Sequence, residues 1–290
     1  MLIDRRWLAY AALAAAIAGM SWSALFVRWA GVPASASAFY RVLIAAAVLL
    51  PWRVIRGPRR YPDRRAVLLA LAGGAFFAFD LVLFNAAVLR TSAATAVLLG
   101  NNAPIFVGLG TWIFLGKRPA SAFWMGLALA LAGCTLIVFA DASSRGGPMP
   151  GSATGDLLAL SAAVFWAAYM VTTERVRTEM DTLTFNTFAI GASVLTLLVV
   201  CLTLGVPLWG YSGRTWVWLF ALGLISQLAS YYALVYALGH LPATITSVAV
   251  IAQVPLAALL AAALLGEPLT GVQVAGGAVV LAGIYVVTKP

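Results

Sequence analysis

Residues 98–119 read LLGNNAPIFVGLGTWIFLGKRP, and residues 249–268 read AVIAQVPLAALLAAALLGEP. In both stretches an amide side chain stands two residues before a proline, Asn102 before Pro104 and Gln253 before Pro255. Each then runs apolar to a Leu-Gly pair and a charge, Lys117 in the first and Glu267 in the second. A segment rich in small residues follows each, GLALALAG (126–133) and VAGGAVVLAG (274–283). A plan this long, repeated once, implies that the chain is built from two copies of one membrane-crossing design.

The surrounding sequence fits that reading. Of the 290 residues 63% are hydrophobic and only 9% charged, where a soluble domain carries about 25% charged residues. The apolar residues come in runs of roughly 17–25, long enough to cross a hydrocarbon core of about 30 Å as helices. Cutting at charges, prolines and glycines gives ten runs: 8–30, 35–55, 66–88, 92–115, 120–140, 157–173, 183–204, 215–238, 242–265 and 270–288. The fold expected is an all-α membrane protein with ten transmembrane helices. The N-terminus, MLIDRRWLAYAALAAAIAGMSWSA, begins like a signal peptide, but its apolar run continues to about Ala30. That exceeds a signal core of about 7–15 residues, so it reads as an uncleaved first span.

Charge sets the orientation. With the N-terminus inside, thirteen basic residues fall on inner loops and termini: Arg5, Arg6, Arg53, Arg56, Arg59, Arg60, Arg64, Arg65, Lys117, Arg118, Arg175, Arg177 and Lys289. Only Arg28, Arg90, Arg145 and Arg214 fall outside, with Arg41 within the second span. Positive residues accumulate on the cytoplasmic side, so both termini are expected there. The stretch DASSRGGPMPGSATGD (141–156) reads as a flexible outer linker. It divides the chain into a five-span repeat at 1–140 and a second at 157–290. Because five is odd, the second repeat enters the membrane inverted. The basic turn at Lys117 and its acidic counterpart at Glu267 agree with that inversion. Inverted repeats are a common plan of secondary transporters, with substrate at the repeat interface near the midplane.

Several function classes are set aside. The net charge of +9 would suit nucleic acid, but the basic residues lie in loops that orient membrane helices, so no nucleic-acid partner is expected. Cys134 and Cys201 lie inside apolar runs and His240 is the only histidine, so no disulfide, metal site or cofactor is expected. No nucleophile–base–acid constellation is present, and no GxxxxGK[ST] loop; neither an enzyme nor an ATP-driven pump is expected. The partners expected are a small-molecule substrate and the bilayer, in a bacterial inner membrane, for a monomer or a homodimer.

Polar and aromatic residues near mid-span are the candidate substrate contacts. Asn101 and Asn102 lie about 14–15 Å along the fourth span, and Gln253 about 16 Å along the ninth. Pro104 and Pro255 mark helix kinks and deny a hydrogen bond to the carbonyls of Gly100 and Ile251. The amides either serve a polar ligand or join neighbouring helices. Trp22 and Trp166 hold corresponding places in the first and sixth spans, roughly 10–21 Å from the span ends, although tryptophan prefers the interfaces. They read as aromatic walls or as packing, with Tyr169 one turn beyond Trp166 on the same face. The eighth span adds Gln227, Ser230, Tyr231 and Tyr232, a density of polar groups that favours a cavity over lipid. The small residues Ala122, Gly126, Ala130 and Cys134 recur every four positions and read as scaffold packing or a dimer contact.

In FFAFDLVLFN (76–85) stands Asp80, the sole acid deep within any expected span. Depth counting puts it about 12 Å from the outer surface and Arg41, on the second span, about 9 Å from the same surface. Intramembrane charges commonly pair, so an Asp80–Arg41 ion pair is expected, with Arg28 as the second candidate partner. Asp80 is a proton or substrate-amine site, half of a structural pair, or a snorkelling or protonated acid.

The stretch LLGEPLTGVQVAGGAVVLAGIYVV (264–287) resembles the closing motif of EamA-type transporters of the drug/metabolite transporter superfamily. LGKRP with GLALALAGCTLIV (115–138) resembles the same motif in the first repeat. Within the superfamily the chain looks most like the YddG-type aromatic amino-acid exporters. The resemblance implies two inverted five-helix repeats around a central cavity that opens alternately to each side. The function expected is secondary, non-ATP-driven export of amino acids, aromatic ones favoured, and related small metabolites. The alternative is export of drugs or other metabolites, including nucleotide-sugar-type substrates. A cationic-drug exporter would be expected to carry an acid in its first span, and this one has none beyond Asp4, just before it.

Overall fold

The computed structural model describes residues 5–57, 62–88, 90–91, 93–144, 153–266 and 269–289. Asp4, Arg59, Arg60, Glu267 and residues 145–152 of the expected linker lie outside them. The described chain is helical, and ten helices are long and apolar enough to cross a membrane. In chain order these spans are Arg6–Ala30, Ala34–Arg56, Arg64–Val88, Thr95–Leu115 and Ser121–Ala140, then Ala153–Val176, Thr182–Thr203, Gly213–Leu238, Ala243–Leu264 and Gly271–Thr288. They are called spans 1 to 10. The expected linker is shorter than the sequence suggests, because helix continues to Ser144 and resumes at Ala153.

Local chemistry ends the helices where it should. Asp181 caps span 7, its carboxylate accepting from the backbone N–H of Leu183 at 3.0 Å and of Thr184 at 3.1 Å. Thr270 and Gln273 form a reciprocal capping box at the start of span 10. Span 4 ends at Gly116, whose φ of 69° few side-chain-bearing residues adopt.

Four spans are not continuous α-helices. Span 1 is interrupted at Trp22. Span 4 breaks at Asn101–Asn102 and resumes at Ala103, with Pro104 in its first turn, where a missing N–H costs nothing. Span 9 breaks at Ile251–Ala252 and resumes at Gln253. Span 8 winds into a π-helical segment over Leu222–Ala229. The Ile251 carbonyl is not left without a donor as expected. The backbone tightens at the break, and Val254 N–H donates to it at 2.9 Å.

The chain divides into two compact units. The first comprises Met1–Val82 with Thr172–Leu241, the second Leu83–Val171 with Pro242–Pro290. In the first, span 2 packs against span 7 and against the π segment of span 8, and span 1 packs along Ser230–Leu238. Leu49, Phe185, Leu197, Leu219, Leu222 and Leu234 are fully buried there. In the second, spans 5 and 10 form the most extensive helix pair. Phe123, Leu127, Ala130, Cys134 and Ile137 meet Val280 and Val287, with Val248 and Ile251 of span 9 closing the cluster.

The small-residue stripe of span 5 is used inside the chain. A Cβ on Gly133 would stand 2.5 Å from the Gly276 carbonyl oxygen, and one on Gly283 would stand 2.5 Å from that of Gly126. Only glycine permits backbones so close. Large apolar side chains such as Ile113, Phe114, Leu195, Leu202 and Leu281 are exposed, as hydrocarbon solvent allows.

Candidate functional site

In the first unit a buried cation organises the polar groups of three spans. Arg41 lies in span 2 and is 8% exposed. An arginine at mid-span costs about 2.5–3.5 kcal/mol on insertion scales, so its donors need acceptors. Its Nε donates to Gln227 Oε1 of span 8 at 2.8 Å, and its Nη1 to Ser23 Oγ of span 1 at 3.3 Å. The guanidinium carbon lies 5.7 Å from the centre of the Tyr231 ring, close enough for a cation–π contact. The Tyr231 hydroxyl is also a hydrogen-bond partner of Arg41.

Irregular helix geometry brings these groups together. Ser230 Oγ donates to the Ile225 carbonyl five residues back, the π register. Ser226 Oγ donates to the Gly19 carbonyl at 2.8 Å, tying the π segment to span 1. The interruption at Trp22 places Ser23 at the start of a new helix, beside Arg41. Gly223 lets span 2 approach, since a Cβ there would stand 2.7 Å from Ile44 Cβ and 3.2 Å from the Arg41 carbonyl. Local unwinding of this kind is frequent at functional sites.

The expected contact ion pair between Asp80 and Arg41 is not formed. Among the described residues no ion pair within 4.0 Å and no hydrogen bond engages Asp80. The guanidinium is held instead by the neutral acceptors of spans 1 and 8. Arg41 and not Arg28 is the cation whose charge acts on Asp80, and it does so through space. Asp80 is partly buried and also couples electrostatically to Tyr231, whose ring lies 4.8 Å from that of Phe77.

The other expected contacts of this unit take distinct places. Trp22 stacks on Phe26 at 5.6 Å, and Phe26 in turn stacks on Trp218 at 6.2 Å. Gln227 is buried and spends its carbonyl oxygen on Arg41. Ser230 is buried against Gly19 with its hydroxyl committed to the backbone, a packing position rather than an open one.

In the second unit Asn102 repairs the break in span 4. At the interruption the Asn102 N–H turns to Leu99, and its side-chain Nδ2 replaces it at the Leu98 carbonyl at 2.8 Å. Asn101 Nδ2 donates likewise to Val97 at 2.8 Å. Both asparagines keep their Oδ1 as an acceptor. Gln253 is partly buried and has no hydrogen bond among the described residues. Trp166 and Tyr169 pack with ring centres 5.5 Å apart, Tyr169 buried and Trp166 partly so.

Sequence reading missed Ser23 and Ser226. Their signal is weak, since a serine in an apolar helix usually bonds its own backbone. It also missed the turn between spans 6 and 7. There Arg177 donates to the carbonyls of Met180 and Val235, and Asp181 lies near it. Burial raises the Asp181 carboxyl, but hydrogen bonds from Thr184 and Leu183 and the charge of Arg177 outweigh that and hold it below the usual range. Burial lowers Arg177 against the pull of Asp181, Tyr232 and Tyr236. Among the described residues no group of three His, Cys, Asp or Glu is placed to hold a metal.

Ten spans, four of them broken, with a buried cation held by polar side chains in the first unit, point to a polytopic transporter rather than an enzyme. The EamA-like transporter family matches residues 5–139 and 153–289, and the chain belongs to that family. It is 28% identical over 248 residues to YdfC, an uncharacterized transporter of Bacillus subtilis (strain 168), covering 85% of this chain and 79% of that protein. It is 27% identical over 236 residues to the threonine/homoserine exporter RhtA of Salmonella typhimurium (strain LT2), covering 80% of this chain and 72% of that one. A solved crystal structure matches with a TM-score of 0.81 at 22% identity, covering 97% of this chain and 96% of that one, a likeness of fold. The likeness is thus to the family and is not specific to its YddG-type members.

Proposed function

We propose that this chain is a secondary exporter of amino acids and related small metabolites, driven by a solute or ion gradient and working by alternating access in a bacterial inner membrane. The observation that carries the proposal is the cluster at Arg41, where Gln227, Ser23 and Tyr231 hold a cation within apolar spans, with Asp80 nearby. Such groups inside a membrane mark substrate or ion pathways. Membership of the EamA-like family and similarity to a threonine/homoserine exporter support the amino-acid class. The finer part of the proposal is a preference for aromatic side chains. It draws on Trp22 in the first unit and on Trp166 and Tyr169 in the second. Within the second unit, the polar groups proposed for substrate are Asn101 and Asn102, whose Nδ2 atoms donate to the backbone and leave Oδ1 as acceptor, and Gln253.

The test is efflux from proteoliposomes of a panel of amino acids and cationic drugs, with and without a pH gradient. Amino-acid flux is expected, faster for phenylalanine and tryptophan than for threonine. Drug flux without amino-acid flux overturns the reading, and equal rates across the panel overturn its aromatic part. If a pH gradient accelerates flux and Asp80→Asn abolishes that acceleration, Asp80 carries the coupling. Flux that ignores the gradient in both proteins overturns proton coupling through Asp80.

A further inference from the structure

Tyr231 links Arg41 to span 3: its ring centre lies 5.7 Å from the guanidinium carbon and 4.8 Å from the ring of Phe77, one turn before Asp80. The guanidinium carries five N–H donors, and the partners that hold it, Gln227, Ser23 and Tyr231, are all neutral. Donor capacity is therefore left over, and no partner carries a countercharge, although only 8% of the residue is exposed. Asp80 is partly buried in the neighbouring span 3 and has no hydrogen bond among the described residues. The Arg41 charge acts on Asp80, and no nitrogen–oxygen approach within 4.0 Å joins them. Intramembrane acids and bases commonly pair. Here Gln227 and Ser23 hold the guanidinium toward spans 8 and 1 instead.

A ligand suits a cation and an acid that do not pair with each other best if it carries both charges at short separation. We propose that Arg41 receives the carboxylate, and Asp80 the ammonium, of a zwitterionic α-amino acid, so that the pair selects for the free amino-acid backbone irrespective of side chain. The assignment rests on the amino-acid exporter reading and sharpens it. The guanidinium fork matches a carboxylate bidentately, which an ammonium cannot do. Tyr231, lying beneath the guanidinium, limits its swing. All five residues, Ser23, Arg41, Asp80, Gln227 and Tyr231, belong to the first compact unit, so the groups that read the charges lie within one unit. A molecule with one charge leaves the opposite protein charge unmatched inside the membrane, and that penalty is the source of the selectivity.

The experiment is counterflow of labelled phenylalanine into proteoliposomes, competed by phenylalanine, its methyl ester, phenethylamine and 3-phenylpropionate. With the unaltered protein, each singly charged analogue is expected to compete at least tenfold more weakly than phenylalanine. In Arg41→Gln, phenylalanine loses at least tenfold while the methyl ester and phenethylamine lose less than twofold, because the group Arg41 recognises is already missing from them. In Asp80→Asn, phenylpropionate is the analogue left unaffected. Arg41→Lys keeps the charge and recovers part of the loss, which separates recognition from misfolding. If the methyl ester competes as well as phenylalanine, or if Arg41→Gln and Arg41→Lys weaken every analogue equally, the assignment is overturned while amino-acid export stands. If the unaltered protein moves no amino acid at all, the underlying reading fails and takes this assignment with it.

Discussion

Replacing Gly133 by alanine tests how tightly the span 5–span 10 pair is built. The added Cβ would meet the Gly276 carbonyl oxygen at 2.5 Å, Val280 N at 2.7 Å and Val280 Cγ2 at 2.9 Å, where ordinary contact begins at 3.4 Å. Two of these three atoms are backbone, so no rotamer change relieves the clash and the helices must separate. Forcing a methyl group into a well-packed site costs about 1–3 kcal/mol. Separation also loosens the reciprocal contact, in which a Cβ on Gly276 would meet the Gly133 oxygen at 2.7 Å. Alanine's higher helix propensity offers little compensation, since a chain unfolded within micelles keeps its spanning helices. A net loss of about 2 kcal/mol is expected, roughly a thirtyfold shift of the unfolding equilibrium. The assay is reversible unfolding in mixed micelles by titration with a denaturing detergent. The control is Gly191→Ala in span 7, where a Cβ meets nothing within 4 Å; it is expected to change stability by less than about 0.5 kcal/mol. Equal stability of the two variants would refute the close-packing argument.

Two smaller effects follow from polar contacts. Asp181→Ala removes the span 7 cap and is expected to cost about 1 kcal/mol at pH 7. The Asp181 carboxyl is held below its unfolded value by its hydrogen bonds and Arg177. Its contribution is therefore complete above about pH 4 and fades as pH falls through the lower native value; a deficit that stays constant down to pH 2 would contradict this. Ser226→Ala deprives the Gly19 carbonyl of its donor and is expected to lower stability by about 0.6 kcal/mol, the average for hydrogen bonds between membrane helices. A loss above about 2 kcal/mol would mean that Ser226 also holds the π segment in register.

How much of this was readable from residues depends on the range of the interaction. The ten spans were legible because each apolar run must cross the hydrocarbon on its own. The breaks in spans 4 and 9 fall where Pro104 and Pro255 predict them, since a missing N–H is a local fact. The π segment left no such mark. Its register is fixed partly by Ser226 meeting Gly19, a bond spanning 207 positions. Asp80 and Arg41 were placed at similar depth by counting residues, but depth says nothing of which way a side chain faces around its helix. That angle is set by packing, and it sent Arg41 to Gln227 instead. The repair of the span 4 break by Asn102 Nδ2 was hidden for a similar reason, because an amide beside a proline reads equally well as a ligand contact.

Arg41 and the glutamine that holds it are separated by 186 positions along the chain. A ribosome adding about 5–20 residues per second takes roughly 10–40 s to make that stretch. For that interval the second span is already made while its principal acceptor does not yet exist. The nascent guanidinium must be kept by water, by lipid phosphate or by the insertion machinery, and a chain stopped short of span 8 would carry a lasting, uncovered positive charge. The bond that shapes the finished site therefore also dates it: the Arg41 site is completed only after the eighth span has been synthesised.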